Sequence, residues 1–151
     1  MSPFKGEEYA ESLWQIHKQS FVRPWTLQNF RDILKLPNVF GFCQKEGFIL
    51  CSLLPDDIEI LTFAVLPSYR RQGIGKALLT ELQEFAIQQN KKCIFLEVKS
   101  DNTPAQALYF KKGFEQTGIR KNYYQENGKT VDALCLTWKN PRHQSEDSGS
   151  L

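Results

Sequence analysis

The segment Val65-Leu66-Pro67-Ser68-Tyr69-Arg70-Arg71-Gln72-Gly73-Ile74-Gly75-Lys76-Ala77-Leu78 constrains the fold more than any other part of the chain. An apolar strand pattern ends there, a short loop follows, and a long amphipathic helix opens on two glycines. Ile74, Ala77, Leu78, Leu82, Phe85 and Ala86 keep helical spacing across residues 73–89. Such a joint leaves unpaired N–H groups and partial positive charge at the helix start, which suits a phosphate. Glycine lets a ligand oxygen come close to the backbone, and Arg70, Arg71 and Lys76 add complementary charge. The stretch is not a dinucleotide fingerprint, because Leu78 stands where a third Gly or Ala belongs. It is not a P-loop either, since Ala77 follows Gly75-Lys76 and position 70 is Arg. An ordinary strand–loop–helix connection with a basic surface would carry the same residues.

The elements around this joint follow from periodicity. Tyr9, Leu13, Ile16 and Ser20 share one helical face, and Phe21-Val22-Arg23-Pro24-Trp25 breaks that helix. Thr26 is placed to cap a second helix with the stripe Leu27, Phe30, Ile33 and Leu34, which Pro37 stops. Apolar runs at 39–44 and 48–54 flank Lys45-Glu46-Gly47 as a hairpin, and 58–65 follows the turn Pro55-Asp56-Asp57 as a third strand. The first half thus predicts two helices and an antiparallel meander. Beyond the long helix, the nearly all-apolar run 93–98 predicts a strand buried on both faces. Asp101 or Thr103 can cap a short helix that ends at Gly113, and strands at 114–121 and 131–138 close the fold around turn residues 125–129. The expectation is a single α/β (α+β) domain over residues 1–140, with a polar, disordered tail over 141–151.

Composition removes whole classes of function. A chain of 151 residues with 41% hydrophobic and 24% charged residues has the balance of a soluble globular domain. Its net charge of +2 is too small to argue for a nucleic-acid or membrane surface. No apolar run is long enough to span a bilayer, and residues 1–5 lack a signal-peptide pattern. Cys43, Cys51, Cys93 and Cys135 each sit singly in apolar surroundings and read as buried, reduced thiols, which suits the cytoplasm. His17 and His143 lack ligand-like neighbours, so neither a metal site nor a Cys–His nucleophile is expected.

Arg70-Arg71-Gln72-Gly73-Ile74-Gly75 resembles the R/Q-x-x-G-x-G/A signature of the GNAT N-acetyltransferase superfamily. Leu96-Glu97-Val98-Lys99-Ser100-Asp101-Asn102, followed by Ala107-Leu108-Tyr109 and Gly113-Phe114, is similar to a second run of that superfamily. Phe21-Val22-Arg23-Pro24-Trp25-Thr26 and Ile119-Arg120-Lys121-Asn122-Tyr123-Tyr124, then Gly128 and Asp132-Ala133, resemble its bacterial branch that acetylates N-terminal alanine of ribosomal proteins. Arg23 and Val22 widen the usual spacing before Pro24, and the N-terminal strand is reduced to residues 2–4. The resemblance implies a mixed sheet with an antiparallel meander and helices on both faces. It implies acetyl-CoA as co-substrate, with no metal. The pyrophosphate would lie on Arg70, Arg71, Gln72, Gly73, Ile74, Gly75 and Lys76. The pantetheine and thioester would meet backbone groups of Phe63, Ala64 and Val65 on a strand that bulges in the superfamily, with Asn102 contacting the pantetheine arm.

Transfer of an acetyl group from a thioester to an amine needs a neutral amine, a polarised carbonyl and a proton for the departing thiolate. An α-amino group of pKa about 7.7–8.0 is neutral roughly an eighth of the time at pH 7, and a lysine near 10.4 only about 0.04%. A carboxylate acting through water can bridge the smaller gap. Glu97, a lone acid in the run 93–98, is the expected base, and the matching glutamate of the superfamily has that role. The alternatives are a structural glutamate paired with a neighbouring Lys or Arg, and Glu59 as the base. Tyr109 is the expected acid by the same resemblance, its phenol staying protonated at neutral pH, although it could serve only as a packing anchor. Trp25, Tyr123 and Tyr124 could line the peptide side or serve only in packing.

The expected activity is direct acetylation of a protein N-terminus, in the branch's case a small-subunit ribosomal protein beginning with Ala. The ribosomal substrate would be met as a peptide end, with no direct nucleic-acid contact. Lysine or small-molecule amine acetylation, or a non-catalytic acyl-CoA-binding module, are the alternatives.

Overall fold

The computed structural model describes residues 1–144, so most of the tail expected at 141–151 lies outside the described residues. What is described of it is fastened. Asn140 Oδ1 accepts from the Arg142 amide at 2.9 Å. Asn90 Nδ2 donates to the Gln144 carbonyl at 3.1 Å, and the Gln144 amide donates back to Asn90 Oδ1 at 3.0 Å.

Helices α1 (Ala10–Ser20) and α2 (Leu27–Leu34) precede strands β1 (Val39–Gln44), β2 (Gly47–Leu53) and β3 (Asp57–Val65). Then come α3 (Ile74–Gln88), β4 (Cys93–Lys99), α4 (Thr103–Lys111), β5 (Glu115–Glu126) and β6 (Lys129–Lys139). The strands form a six-stranded sheet in the order β1-β2-β3-β4-β6-β5. By contacts the chain divides into two compact units, Met1–Leu54 with Glu59–Leu82, and Pro55–Ile58 with the chain from Gln83 onward.

In the first unit, local chemistry sets the helix ends. Thr26 Oγ1 accepts from the Asn29 amide and Asn29 Oδ1 accepts from the Thr26 amide, both at 3.0 Å, closing a capping box. The buried residues of α1 are Ala10, Leu13, Ile16 and His17; of the expected stripe Leu13 and Ile16 are buried, while Tyr9 and Ser20 at its ends are half-buried. Tyr9 closes a single 3-10 turn, Glu7–Tyr9, ahead of α1 and packs half-buried against the same core. Leu13, Phe30, Phe48 and Leu50, each at most 1% exposed, anchor the core of this unit. Burying one such side chain contributes roughly 1.5–3 kcal/mol. Strands β1 and β2 pair antiparallel with Gln44 opposite Gly47, as the hairpin pattern predicts. Phe4 forms an isolated bridge with Gly41, the remnant of the short N-terminal strand. A side chain at Gly41 would meet the Ile49 carbonyl at 2.3 Å, so only glycine fits there.

In the second unit, β6 pairs antiparallel with both β4 and β5, matching Ile94 with Trp138 and Leu96 with Leu136. The expectation that β4 is buried on both faces is not met. Ile94, Leu96 and Val98 are buried, while Cys93, Phe95, Glu97 and Lys99 on the other face are half-buried. Composition reports how apolar a strand is but not how closely each face is covered. The cap of α4 is Asn102, between the two expected residues, its side chain accepting from the Ala105 amide at 3.3 Å. Pro104 leads the helix, and Gly113 ends it at φ +89°. Strands β5 and β6 run further than their apolar cores suggested and turn tightly at Asn127 and Gly128, both at positive φ. Such an Asn-Gly pair matches the twist of a two-residue hairpin.

All four cysteines are free, but only Cys51 is fully buried; the others are half-buried. Burial raises the Cys51 thiol well above its ordinary range and raises those of Cys43 and Cys93 as well, which keeps them as thiols. Among the described residues, no helix is long and apolar enough to cross a membrane.

Candidate active site

The glycine turn lies in the first unit. After β3, a 3-10 turn at Pro67–Tyr69 delivers Arg70 in extended conformation. Arg71 then adopts φ +64° and Gly73 φ +84°, two left-handed residues that curl the backbone just before α3. Around Gly73 there is open space, so the conformation alone calls for glycine. Left-handed geometry at Arg71 costs about 1–2 kcal/mol, and strain of this kind collects at ligand clamps. Helix α3 opens directly on the turn, its amides at Ile74, Gly75 and Lys76 belonging to the first turn, where no intrahelical acceptor exists. Arg71, Gln72, Gly73 and Lys76 are exposed.

Arg70 is used differently from the pure charge donor that its position suggests. Its Nε donates to the Val65 carbonyl at 3.1 Å, and Nη2 reaches the Ser20 carbonyl at 3.4 Å. The guanidinium thus ties the turn to the end of β3 and to the last residue of α1. Gln72 Nε2 donates to the Ser68 carbonyl at 3.3 Å, closing the loop on itself. On β3, Ala64 is buried while Phe63 and Val65 are half-buried. Glu59 is half-buried on the same strand.

The second unit gathers two carboxylates, a tyrosine pair and two cations. Glu97 and Lys99 point from one face of β4, and Glu97 stands opposite Cys135 of β6 in the register. Glu97 Oε1 lies 3.3 Å from Arg120 Nε, so the lone acid expected from the sequence has a guanidinium partner. Arg120 also lies over the Tyr123 ring at 4.9 Å, and Tyr123 meets Tyr124 edge to face at 5.1 Å. Lys99 pairs with Glu126, with its Nζ 5.4 Å from the Tyr124 ring centre. Burial, then the Glu97 charge, push the Tyr124 phenol upward, so it stays a neutral donor.

A wide bulge makes this cluster possible. Between the pairs Arg120–Ala133 and Tyr124–Val131, β5 carries two residues more than β6. Asn122 takes φ +56° there, its amide donating to Asp132 Oδ1 at 2.8 Å and its Oδ1 accepting from Thr130 at 2.9 Å. Bulges re-aim side chains next to active sites. The roles of Arg120, Lys99 and Glu126 were missed from sequence. The alternation of Glu97 and Lys99 on one strand face was the available signal, but their partners lie more than 20 residues away across a bulged strand.

Tyr109 is 6% exposed on α4, its ring edge-to-face with Phe114 at 5.5 Å. Asn102 caps the same helix with its carboxamide oxygen, so only its nitrogen end is left to meet a ligand. Among the described residues, no three of His, Cys, Asp and Glu cluster as metal ligands.

An anion-ready helix start after a strand, and a strand-borne carboxylate near a tyrosine pair, are the equipment of an acyltransferase. Residues 10–114 match the acetyltransferase (GNAT) family, and the chain belongs to it. It is an N-acetyltransferase with that family's mixed α/β fold. It is 34% identical over 131 residues to the ribosomal protein bS18-alanine N-acetyltransferase of Haemophilus influenzae, covering 83% of this chain and 89% of that one. It is 42% identical over 138 residues to the N-alpha-acetyltransferase RimI of Mycobacterium tuberculosis, covering 84% of each. The crystal structure of the ribosomal-protein-S18-alanine N-acetyltransferase from Escherichia coli superposes with a TM-score of 0.86 at 25% identity, covering 97% of both chains.

Proposed function

We propose that this chain transfers acetyl from acetyl-CoA to the α-amino group of a protein beginning with Ala, a small-subunit ribosomal protein of the bS18 class, in the cytoplasm. The observation that carries the reading is the similarity over more than four-fifths of the chain to two N-terminal acetyltransferases. The glycine turn supports it, since a pyrophosphate fits the exposed Arg71 and Lys76 and the first-turn amides of α3. Arg70 serves that site from behind by holding the turn in shape.

In this mechanism the free amine attacks the thioester carbonyl. The C–N bond forms, the C–S bond breaks, and the ammonium proton leaves through water to Glu97. Arg120, 3.3 Å from Glu97 Oε1, holds that carboxylate in place between turnovers. Tyr109 gives its phenol proton to the departing CoA thiolate and is reprotonated from solvent. An α-amino group needs only about 1.2 kcal/mol to lose its proton at pH 7, against about 4.6 for lysine. The smaller of these two gaps is the one a carboxylate acting through water can bridge. The raised thiols of Cys43, Cys51 and Cys93 support direct transfer without an acetyl-enzyme.

Incubation with acetyl-CoA and peptides that differ only in a free or blocked N-terminal Ala tests the reading by mass spectrometry. Acetylation of the free peptide alone is expected. Acetylation of only the blocked, lysine-containing peptide overturns it.

A further inference from the structure

His17 is 2% exposed and has no part in the transfer chemistry, yet both its ring nitrogens are engaged. The Trp25 amide donates to Nδ1 at 3.1 Å. An N–H aimed at Nδ1 means that this nitrogen carries no proton, so the neutral ring carries it on Nε2. Nε2 then donates to Thr62 Oγ1 on β3, also at 3.1 Å. The ring is stacked on Phe21 at 4.3 Å, lies 5.4 Å from Trp25, and meets Phe30 edge-on at 5.2 Å. Phe48 of β2 completes the enclosure at 6.3 Å. Phe21, Trp25, Phe30, Phe48 and Thr62, which meet the ring from the 21–25 loop, α2, β2 and β3, carry no ionisable side chain.

The loop that His17 grips runs from α1 to α2. It begins just after Ser20, the last residue of α1, whose carbonyl is the one Arg70 reaches from the glycine turn. Both ends are thus bound to the strand and turn assigned to acetyl-CoA: Ser20 through Arg70, and Trp25 through His17 and Thr62. Between those anchors the loop displays apolar surface, with Val22 96% and Phe21 40% exposed. A loop fastened at both ends and apolar in the middle is built to hold a shape for contact.

We infer that His17 is a positioning residue for the acceptor peptide, fixing the 21–25 loop through the Trp25 amide and Thr62. The inference rests on the N-terminal acetylation reading. His17 touches neither the reacting atoms nor acetyl-CoA and acts by presenting the loop.

The test compares His17→Leu, which fills the space without either hydrogen bond, with His17→Asn, whose Oδ1 can accept from the Trp25 amide as Nδ1 does. For His17→Leu, the peptide KM is expected to rise about tenfold or more, with kcat and the acetyl-CoA KM within about threefold of wild type. His17→Asn should return the peptide KM to within about threefold. Amide hydrogen exchange reads the anchor without any substrate: Trp25 should be protected in wild type and His17→Asn and exchange rapidly in His17→Leu.

A peptide KM unchanged in His17→Leu, or equal Trp25 exchange in all three proteins, overturns the inference. So does a loss confined to kcat that His17→Asn does not rescue, the mark of a merely structural role. If wild type acetylates only a lysine acceptor, the N-terminal reading falls, and the same variants judge His17 on that acceptor's KM. If no acceptor turns over, Trp25 exchange decides alone.

Discussion

His17 also makes a quantitative prediction about stability in acid. Burial lowers its folded-state pKa from 6.5 to about 4. The surrounding aromatic faces would favour an imidazolium, but desolvation and the Trp25 N–H aimed at Nδ1 oppose it and prevail. Because the folded pKa is the lower one, the unfolded chain binds the extra proton first as pH falls. The stabilisation is therefore complete above about pH 6.5 and is lost between there and about pH 4. Integrating the linkage for one site gives a loss of about 2 kcal/mol between pH 7.5 and pH 5, and about 3 kcal/mol in total. His17→Leu cannot titrate and should escape this loss, although its unpaired Trp25 amide lowers its stability by a constant amount at every pH. Urea unfolding of both proteins across pH 7.5 to 5 provides the comparison. The wild-type curve should approach the variant's by about 2 kcal/mol, or roughly 4–8 °C in Tm for a chain of this length. Curves that stay parallel would show that His17 titrates alike in both states, refuting the desolvation argument.

Further predictions concern the site and the scaffold. Tyr109→Phe and Glu97→Gln should each lower kcat at least about tenfold with unfolding curves little changed, and near-wild-type turnover of either removes it from the mechanism. Cys135→Ala, opposite Glu97 in the register, should keep turnover within about threefold, with no acetyl adduct on the wild-type protein by intact-mass measurement. Gly73→Ala meets no atom within 4 Å, so its expected loss of about 1 kcal/mol and severalfold rise in acetyl-CoA KM would come from the positive φ alone. Thr26→Ala breaks the capping box and should cost about 1 kcal/mol by chemical unfolding, leaving kcat unchanged.

Much of this molecule was legible because its signals are local. The bounds of β1, the Thr26 cap, the stop at Gly113 and the glycine turn before α3 each follow from residues within a few positions of one another. Periodicity is less reliable at the ends of an element: in α1 Leu13 and Ile16 are buried as their spacing predicts, but Ala10 and His17 are buried more deeply than Tyr9 and Ser20. A strand's composition likewise could not tell that one face of β4 would be left half-covered for Glu97 and Lys99.

By itself, then, the sequence determined the elements, the anion-ready turn and the family, because backbone preference and glycine placement act over a single turn or strand. Tertiary structure alone decided what the charged and polar side chains do. Arg70 became a clamp on Val65 and Ser20, Glu97 acquired Arg120 across a bulged strand, and His17 became the grip on Trp25. The physical reason is common to all three. A side chain's partner is whatever the folded backbone brings within about 3 Å of it, and a buried donor or acceptor must find such a partner wherever it lies in the chain.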